Sequence, residues 1–592
     1  MIDVTTYSDA HSLLTAINKI ADEESFTVLD MEVAASVLKE VSTSLKPEQR
    51  SWMAVAIAAC HRSTRTGHSH IDLTRPDPEL ARLLGSWPNI GFWQDVFSRL
   101  DSENEKLPIV WEQPGFLYLR RFWKYEALLT EKLSLRFSIR AAESEGAQAV
   151  APALLDGCAP EQIQAIEATT RRSVVLLSGG PGTGKTFTVL RCIGALLMQN
   201  PEARISLLAP TGKAVARLTA SITSGIDHLP VPESVRSRIP TSASTIHRFL
   251  NELENESFGT FVPVPTPAID WIFVDEVSMV DLRLMKRLLE TIPDTCRLFM
   301  LGDVHQLASV EPGSVFSDIY EAISGSDTAS TSFETIELCK TFRFSRESPI
   351  FQLCEAVRTG DLEAAKSLLS SPSTDSSLHC HQPGGDDTNR IFDEWIEKHI
   401  VAPMLVEEPQ QALTEFTRSL LLCATNRGPF GVETLNRRIH RRVEGECRKQ
   451  GGSHYWSPIL ITQNDYRNDL FNGDIGLQRR SVNDADLSEQ VIFIRNGELR
   501  IMSPSQLPAY SEAFALTIHK SQGSEAENVM VLLPEAESPV LTRELLYTAI
   551  SRAKAQLHLI GSKEAVEQAI RHRTRRDSRL TAKLQARLIR EG

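Results

Sequence analysis

One eight-residue loop constrains this chain more than any other feature: Gly179-Gly180-Pro181-Gly182-Thr183-Gly184-Lys185-Thr186. It fits G-x-x-x-x-G-K-[ST], with the apolar run SVVLLSGG (173–180) leading in and TVLRCIGALLM leading out. A strand therefore enters the loop and a helix leaves it. The glycines let backbone N–H groups curl around phosphate oxygens, and the helix presents its N-terminus to the anion. Lys185 supplies a point charge for the β- and γ-phosphates, and the Thr186 hydroxyl is placed for Mg²⁺.

The surrounding pattern agrees. ISLLAPTGK (205–213), WIFVDE (271–276) and RLFMLGD (297–303) are further short apolar runs, each ended by polar residues and separated by helical segments. That alternation predicts a parallel sheet with helices on both faces. Ligands of such sheets bind beyond the carboxyl ends of the strands, where every polar cluster here falls. Asp275 is the expected Mg²⁺ carboxylate, and Glu276 the carboxylate that orients the attacking water. Gln306, after the third run, is placed to sense the γ-phosphate. Gln162, ahead of the loop, is the candidate for adenine's edge, with Gln164 competing. No NKxD base-reading motif for GTP is present.

The chain is long enough for roughly four domains at about 150 residues each. Residues 10–62 carry helical periodicity, and PIVWEQPGFLYLRRFW (108–123) reads as two strands around Pro114-Gly115. SEGAQAVAPALLDG, from Ser144, reads as a linker. A second strand set, LLLCAT (420–425), ENVMVLLP (527–534) and AQLHLIGS (555–562), predicts a second α/β sheet. Turn signals between 455 and 510 predict a small β insertion. The expected division is 1–110, 111–157, 158–345 and 346–592. Nine scattered cysteines without a CxxC pair argue for a reduced, cytoplasmic protein. His379-Cys380-His381 reads as a polar loop rather than a metal site. MIDVTTYSDA carries no signal-peptide pattern, and no early apolar run approaches a membrane span.

The ordered series GGPGTGKT, APTGKAVARL, STIHRFL, VDE, LGDVHQLASV, TFRF, LTIHKSQGSE (516–525) and YTAISRAK resembles the superfamily 1 helicases. GPFGVETLN, FNGDIG and TRELLYTAISRA narrow the resemblance to the RecD family, the α subunits of exodeoxyribonuclease V. The resemblance covers roughly residues 160–565. It implies an α/β fold of two RecA-like P-loop domains, a small SH3-like β insertion in the second, and a mainly helical N-terminal domain that docks a partner. It implies ATP between the two domains, with Arg343 of TFRF and Arg552 of SRAK reaching the γ-phosphate from the second. Gln522 and Glu525 would lie beside the nucleotide. It implies 5′-to-3′ movement on DNA, and RecB-like and RecC-like partner subunits in a machine that processes double-strand ends.

Net charge is −13, from 63 basic and 76 acidic residues, so any nucleic-acid path is a local groove on an acidic body. Thr211, Lys213, Thr245, His247, Thr517, His519 and Lys520 are the candidate phosphate contacts along a single strand. Phe249 and Phe471 are candidate stacking platforms, with core packing the competing role. The basic stretches 436–442 and 571–579 suit DNA, an acidic partner, a solvated face or, for the second, a frayed tail. No separate cluster of acidic residues and lysine suggests a nuclease centre, which is expected on a partner chain. Two further readings compete: a DNA-clamping regulatory ATPase, and a stand-alone RecD-like helicase.

Overall fold

The computed structural model describes residues 2–591 apart from 3, 8, 22–24, 42–43, 76, 101–105, 139–148, 259–268, 310, 326–332, 344, 346, 371–376, 466, 483–488, 496–497, 536 and 575. The molecule is α/β, built around two parallel sheets. The first runs in the order Ser244–Thr245, Ile205–Ala209, Trp271–Val274, Arg297–Gly302, Val174–Gly179, Phe333–Leu338, and every pairing is parallel. Helices cover both faces, which is why its inner strands are continuous apolar runs. Successive side chains alternate between two cores. Val174 and Leu176 pack with Ile272 and Met300, while Val175 and Leu177 pack with Phe273 and Phe299.

The second sheet runs Leu378–His381, Ala553–Ile560, Ala526–Leu532, Ser419–Cys423, Leu516–Thr517, again all parallel. The three runs foreseen as strands form its centre. The polar loop expected at 379–381 is instead its edge strand. His379 and His381 lie beside His558 of the neighbouring strand, with ring centroids 4.5 and 5.6 Å away. The hydropathy of HCH hides a strand whose pairing comes from a segment 177 residues distant. Among the described residues no group of three or more His, Cys, Asp or Glu side chains is placed to hold a metal.

Five antiparallel strands, Glu498–Met502, Val491–Arg495, Ile475–Ser481, His454–Ile461 and Tyr510–Glu512, form a separate sheet in the region read as an insertion. The N-terminal unit consists of helices and a three-stranded sheet, His70–Asp72, Phe116–Leu119, Ile109–Glu112. The hairpin is thus stitched into this unit, and a boundary at 110 would cut its first strand. The helix Arg120–Ser138 continues from it and buries Leu129, Leu133 and Phe137 in the first sheet's core. Residues 144–148 of the expected linker lie outside the described residues, and Pro152–Leu155 is a short helix.

The stretch 571–579 is not a frayed tail. Arg576 donates to the carbonyls of Glu311 and Gly313, and Arg579 reaches Glu112 at 2.6 Å. The helix Leu580–Glu591 then sinks Leu580, Leu584 and Leu588 into the first sheet's core. Buried Glu126 accepts from Lys583 at 2.8 Å, Ser69 at 2.6 Å and Tyr118 at 3.2 Å, joining the chain's end to the N-terminal unit. In the 436–442 stretch, Arg438 and Arg442 pair with Asp393 at 3.1 and 2.8 Å on a solvent-exposed helix face. All nine cysteines are unpaired. Among the described residues no helix is long and apolar enough to cross a membrane.

Candidate active site

The phosphate loop sits where the Val174–Gly179 strand, flanked by two others, gives way to the helix Lys185–Gln199. Gly182 and Gly184 have φ of +76° and +81°, a region closed to most side chains. Crowding adds to this. A Cβ on Gly182 would overlap that of Arg343, and one on Gly184 would come within 2.8 Å of Gln162 Nε2. Lys185 Nζ is folded onto the loop's own carbonyls, 2.6 Å from Gly179 O and 3.3 Å from Gly180 O.

Residues 180–186 of this loop line a cleft of about 180 Å³ between the two sheets. Asp275 and Glu276 enter it from the Trp271–Val274 strand, Gln306 from the next, and Arg343, Glu525 and Arg552 complete it. Glu276 has φ +51°, a left-handed conformation that costs a non-glycine residue on the order of 1–2 kcal/mol. Its N–H donates to Asp275 Oδ1 at 2.9 Å, which holds the bend that turns the carboxylate into the cleft. Burial pushes the Asp275 carboxyl up to about 6, and the Glu276 charge adds to this against the pull of Lys185. The Thr186 hydroxyl and Asp275 carboxylate are hard oxygen donors, the chemistry that Mg²⁺ takes.

Glu525 is the centre of the cleft's charge. It comes from the second lobe, and its carboxylate accepts from Arg217 at 2.9 Å and Arg343 at 2.6 Å. Burial alone would raise it, but the two guanidiniums outweigh burial and hold it at about 2. Arg552 is buried and bonds to Thr548 O, Ser524 O and Ser551 Oγ of its own lobe. Arg343 was expected from the second lobe. It lies instead on the connector after the Phe333–Leu338 strand, where Phe342 N–H donates to Gly182 O at 2.8 Å. It therefore rides with the phosphate loop.

Three expected nucleotide residues sit behind the cleft wall. Gly179 ends the buried strand. Gln162 is buried, with Oε1 accepting from Ala159 N–H and Nε2 3.4 Å from Thr183 O. Gln522 donates to Leu307 O at 2.7 Å, while Leu307 N–H donates to Thr548 Oγ1 at 3.0 Å. This pair latches the loop after the Arg297–Gly302 strand to the second lobe. Gln306 donates to Asp303 at 2.9 Å, and Tyr547 of the second lobe donates to the same carboxylate at 3.1 Å. The sequence reading missed Arg217, Asp303 and Tyr547. Arg217 was traceable, since it follows Lys213 by four residues on one helical face.

Of the candidate strand contacts, Thr211 caps the helix Gly212–Ile226 and accepts from Ala214 N–H. Lys213 donates to Ser524 Oγ across the lobes, and burial lowers its ammonium to about 8. Thr245 is buried and accepts from Arg248 N–H, and Thr517 likewise accepts from Lys520 N–H. Burial and Arg576 lower His519, whereas Lys520 is exposed. His247 faces a separate cavity. Phe249 belongs to the core, because its helix packs against the first sheet. Phe471, from the connection between the His454–Ile461 and Ile475–Ser481 strands, lies flush on Gly212 of the first lobe.

Residues 162–312 match the AAA domain family, and residues 512–560 match the UvrD-like helicase C-terminal domain. The chain is 33% identical over 561 residues to the RecBCD enzyme subunit RecD of Mycolicibacterium smegmatis, covering 92% of this chain and 95% of that one. It is 32% identical to the Mycobacterium tuberculosis protein of the same name, covering 99% of each. The ATP-dependent RecD2 DNA helicase of Deinococcus radiodurans is 28% identical over 80% of this chain and 59% of its own length.

Proposed function

This chain belongs to the RecD family, and from that membership we propose that it is the 5′-to-3′ motor subunit of a RecBCD-type helicase-nuclease acting on double-strand DNA ends. It is an ATP-dependent DNA helicase. The partners of this reading are RecB-like and RecC-like subunits, the nuclease centre lies on one of them, and the setting is the cytoplasm. The two parallel sheets are read as RecA-like motor domains, the antiparallel sheet as SH3-like, and the N-terminal helical unit as the docking element.

The observation that carries the motor is Glu525. It is held by two first-lobe arginines at the mouth of the phosphate loop. An incoming γ-phosphate competes with Glu525 for Arg343 and with the loop carbonyls for Lys185. Glu276 orients the attacking water, Gln306 senses the γ-phosphate, and Arg552 offsets developing charge from the opposite lobe. Held by Thr186 and Asp275, Mg²⁺ would neutralise the phosphate oxygens. When the γ-phosphate departs, Arg343 returns to Glu525 and the inter-lobe contacts change. Coupling follows from that exchange, because only differential contacts in the two states shift the equilibrium.

The test is ATPase and unwinding on DNA with 5′ or 3′ single-stranded tails, with and without the partner subunits. Lys185→Gln abolishes ATP hydrolysis and unwinding and leaves the fold intact. Unwinding that survives this change, or that prefers 3′ tails, refutes the motor or its direction respectively.

A further inference from the structure

A cavity of about 370 Å³ opens where the N-terminal unit meets the first lobe, away from the nucleotide cleft. Its size falls within the roughly 300–1,000 Å³ of ligand pockets. One wall is aromatic: half-buried Tyr125 of the helix Arg120–Ser138, backed by Phe122, which is packed into the N-terminal core. The opposite side is cationic: Arg283 and Arg287 on the helix Leu282–Thr291, with His247 at the start of the helix Ile246–Phe258. Arg121 stands at the rim, its guanidinium 4.6 Å from the Phe122 ring centroid.

Arg287 is engaged by Glu254 at 2.7 Å. Neither Arg121 nor Arg283 enters an ion pair among the described residues. Two carboxylates also line the cavity. Asp281 is committed as helix cap, accepting from Leu284 N–H at 2.7 Å, and Glu311 is exposed at the edge. The balance of the field is legible at His247. Burial lowers it first, and Arg287 and Arg283 lower it further against the opposing pull of Asp281.

We propose that this cavity binds one nucleotide of the single strand, its phosphate held by Arg121 and Arg283 and its base against half-buried Tyr125. Cationic and aromatic groups facing each other are what sequence-blind single-strand binding requires. The position fits as well. Ser244–Thr245 is the edge strand of the first sheet and His247 lies two residues beyond it, so the cavity adjoins the edge of the sheet. The N-terminal unit then forms part of the track, since Arg121, Phe122 and Tyr125 belong to its helix. The proposal rests on the helicase reading above.

The probe is a fluorescein-labelled oligothymidylate, bound by the full chain over a range of KCl concentrations. Each phosphate contact on a single strand contributes about 0.7 to the slope of log affinity against log salt. Because both guanidiniums hold one phosphate, the Arg121→Gln/Arg283→Gln double variant is expected to reduce the slope by about 0.7, and neither single variant by more, with unchanged thermal melting. Arg99→Gln, on the N-terminal unit and paired only with exposed Asp95, leaves the slope as it is. A double variant with the original slope overturns the site while the helicase reading stands. If that variant instead loses binding to a polyglutamate peptide, the cavity belongs to a protein partner and the proposal is likewise overturned. An unsubstituted chain that binds no oligonucleotide at any salt overturns both.

Discussion

Gly212→Ala tests whether lobe closure depends on one flush contact. Gly212 opens the helix Gly212–Ile226 of the first lobe. Phe471 reaches it from the connection between two strands of the antiparallel sheet, fixed by its own N–H donating to Asp474 Oδ2 at 2.6 Å. A Cβ on Gly212 would overlap Cβ and Cγ of Phe471 and come within 2.7 Å of its Cδ2. Carbon atoms prefer about 3.5–4.0 Å, so Phe471, its Cβ included, has to retreat by about 1.3 Å or more. Overpacking of this kind costs about 1–3 kcal/mol. The two groups sit on different lobes, so the cost falls on the closed arrangement and not on the folding of either lobe. Closure then weakens about 5- to 150-fold. Single-strand-stimulated ATPase is expected to fall by a factor in that range, with thermal melting almost unchanged. The geometry also ranks the rescues. Phe471→Ala leaves the Cβ overlap in place, whereas Phe471→Gly removes all three contacts, so only the glycine double variant shows strong positive coupling to Gly212→Ala. Turnover at the original level in Gly212→Ala, or purely additive double variants, would refute the reasoning.

Three further changes probe the buried polar groups. Burial lifts Asp318 to about 7 from an ordinary 3.8, so the folded state holds more protons and stability falls as pH rises from about 4 to 7. Asp318→Asn should therefore raise stability at pH 8 by up to about 4 kcal/mol, seen as a higher melting temperature, and change little near pH 4; destabilisation at pH 8 would contradict this. His558 runs the other way: burial, then His379 and His381, lowers it from 6.5 to about 4. Stability is full above pH 6.5 and lost as pH falls toward 4, so His558→Gln should flatten the acid limb of a melting profile; an unchanged limb counts against the stack. Glu126→Ala leaves Lys583 with Glu112 alone at 3.1 Å and takes the buried acceptor from the Ser69 and Tyr118 hydroxyls, at a cost of about 1–3 kcal/mol. Early proteolysis between the N-terminal unit and the first lobe is expected, and a cleavage pattern like the unsubstituted chain's argues against Glu126 as the joint.

The buried ion pairs at the cleft do more for specificity than for raw stability. Glu525 desolvated between Arg217 and Arg343 gains little over a well-packed apolar contact, since burial opposes it. Its value lies in being replaceable. On the function proposed above, a phosphate offers Arg343 the same geometry with more charge, and occupancy of the cleft is expected to rearrange the contact that bridges the lobes.

The placement of residues 179–186 and 275–276 at the carboxyl ends of strands was legible because it is written locally. A strand, a glycine turn and a helix N-terminus occupy consecutive residues, and backbone geometry alone assembles them. The central strands of both parallel sheets were legible for a similar reason, as burial on two faces forces unbroken apolar runs. What the primary structure left open is whatever depends on residues far apart in the chain. Arg217 meets Glu525 across 308 positions, and nothing in either neighbourhood marks the pairing. Arg343 was expected to act from the second lobe although the division at 345 kept it with the first, because a motif's order along the chain does not say on which side of a hinge it packs. The edge strand at Leu378–His381 and the returning helix Leu580–Glu591 look polar or basic in isolation. They become ordered because a neighbouring strand, a buried carboxylate and a waiting apolar groove satisfy them, and those partners exist only once the rest of the chain has folded.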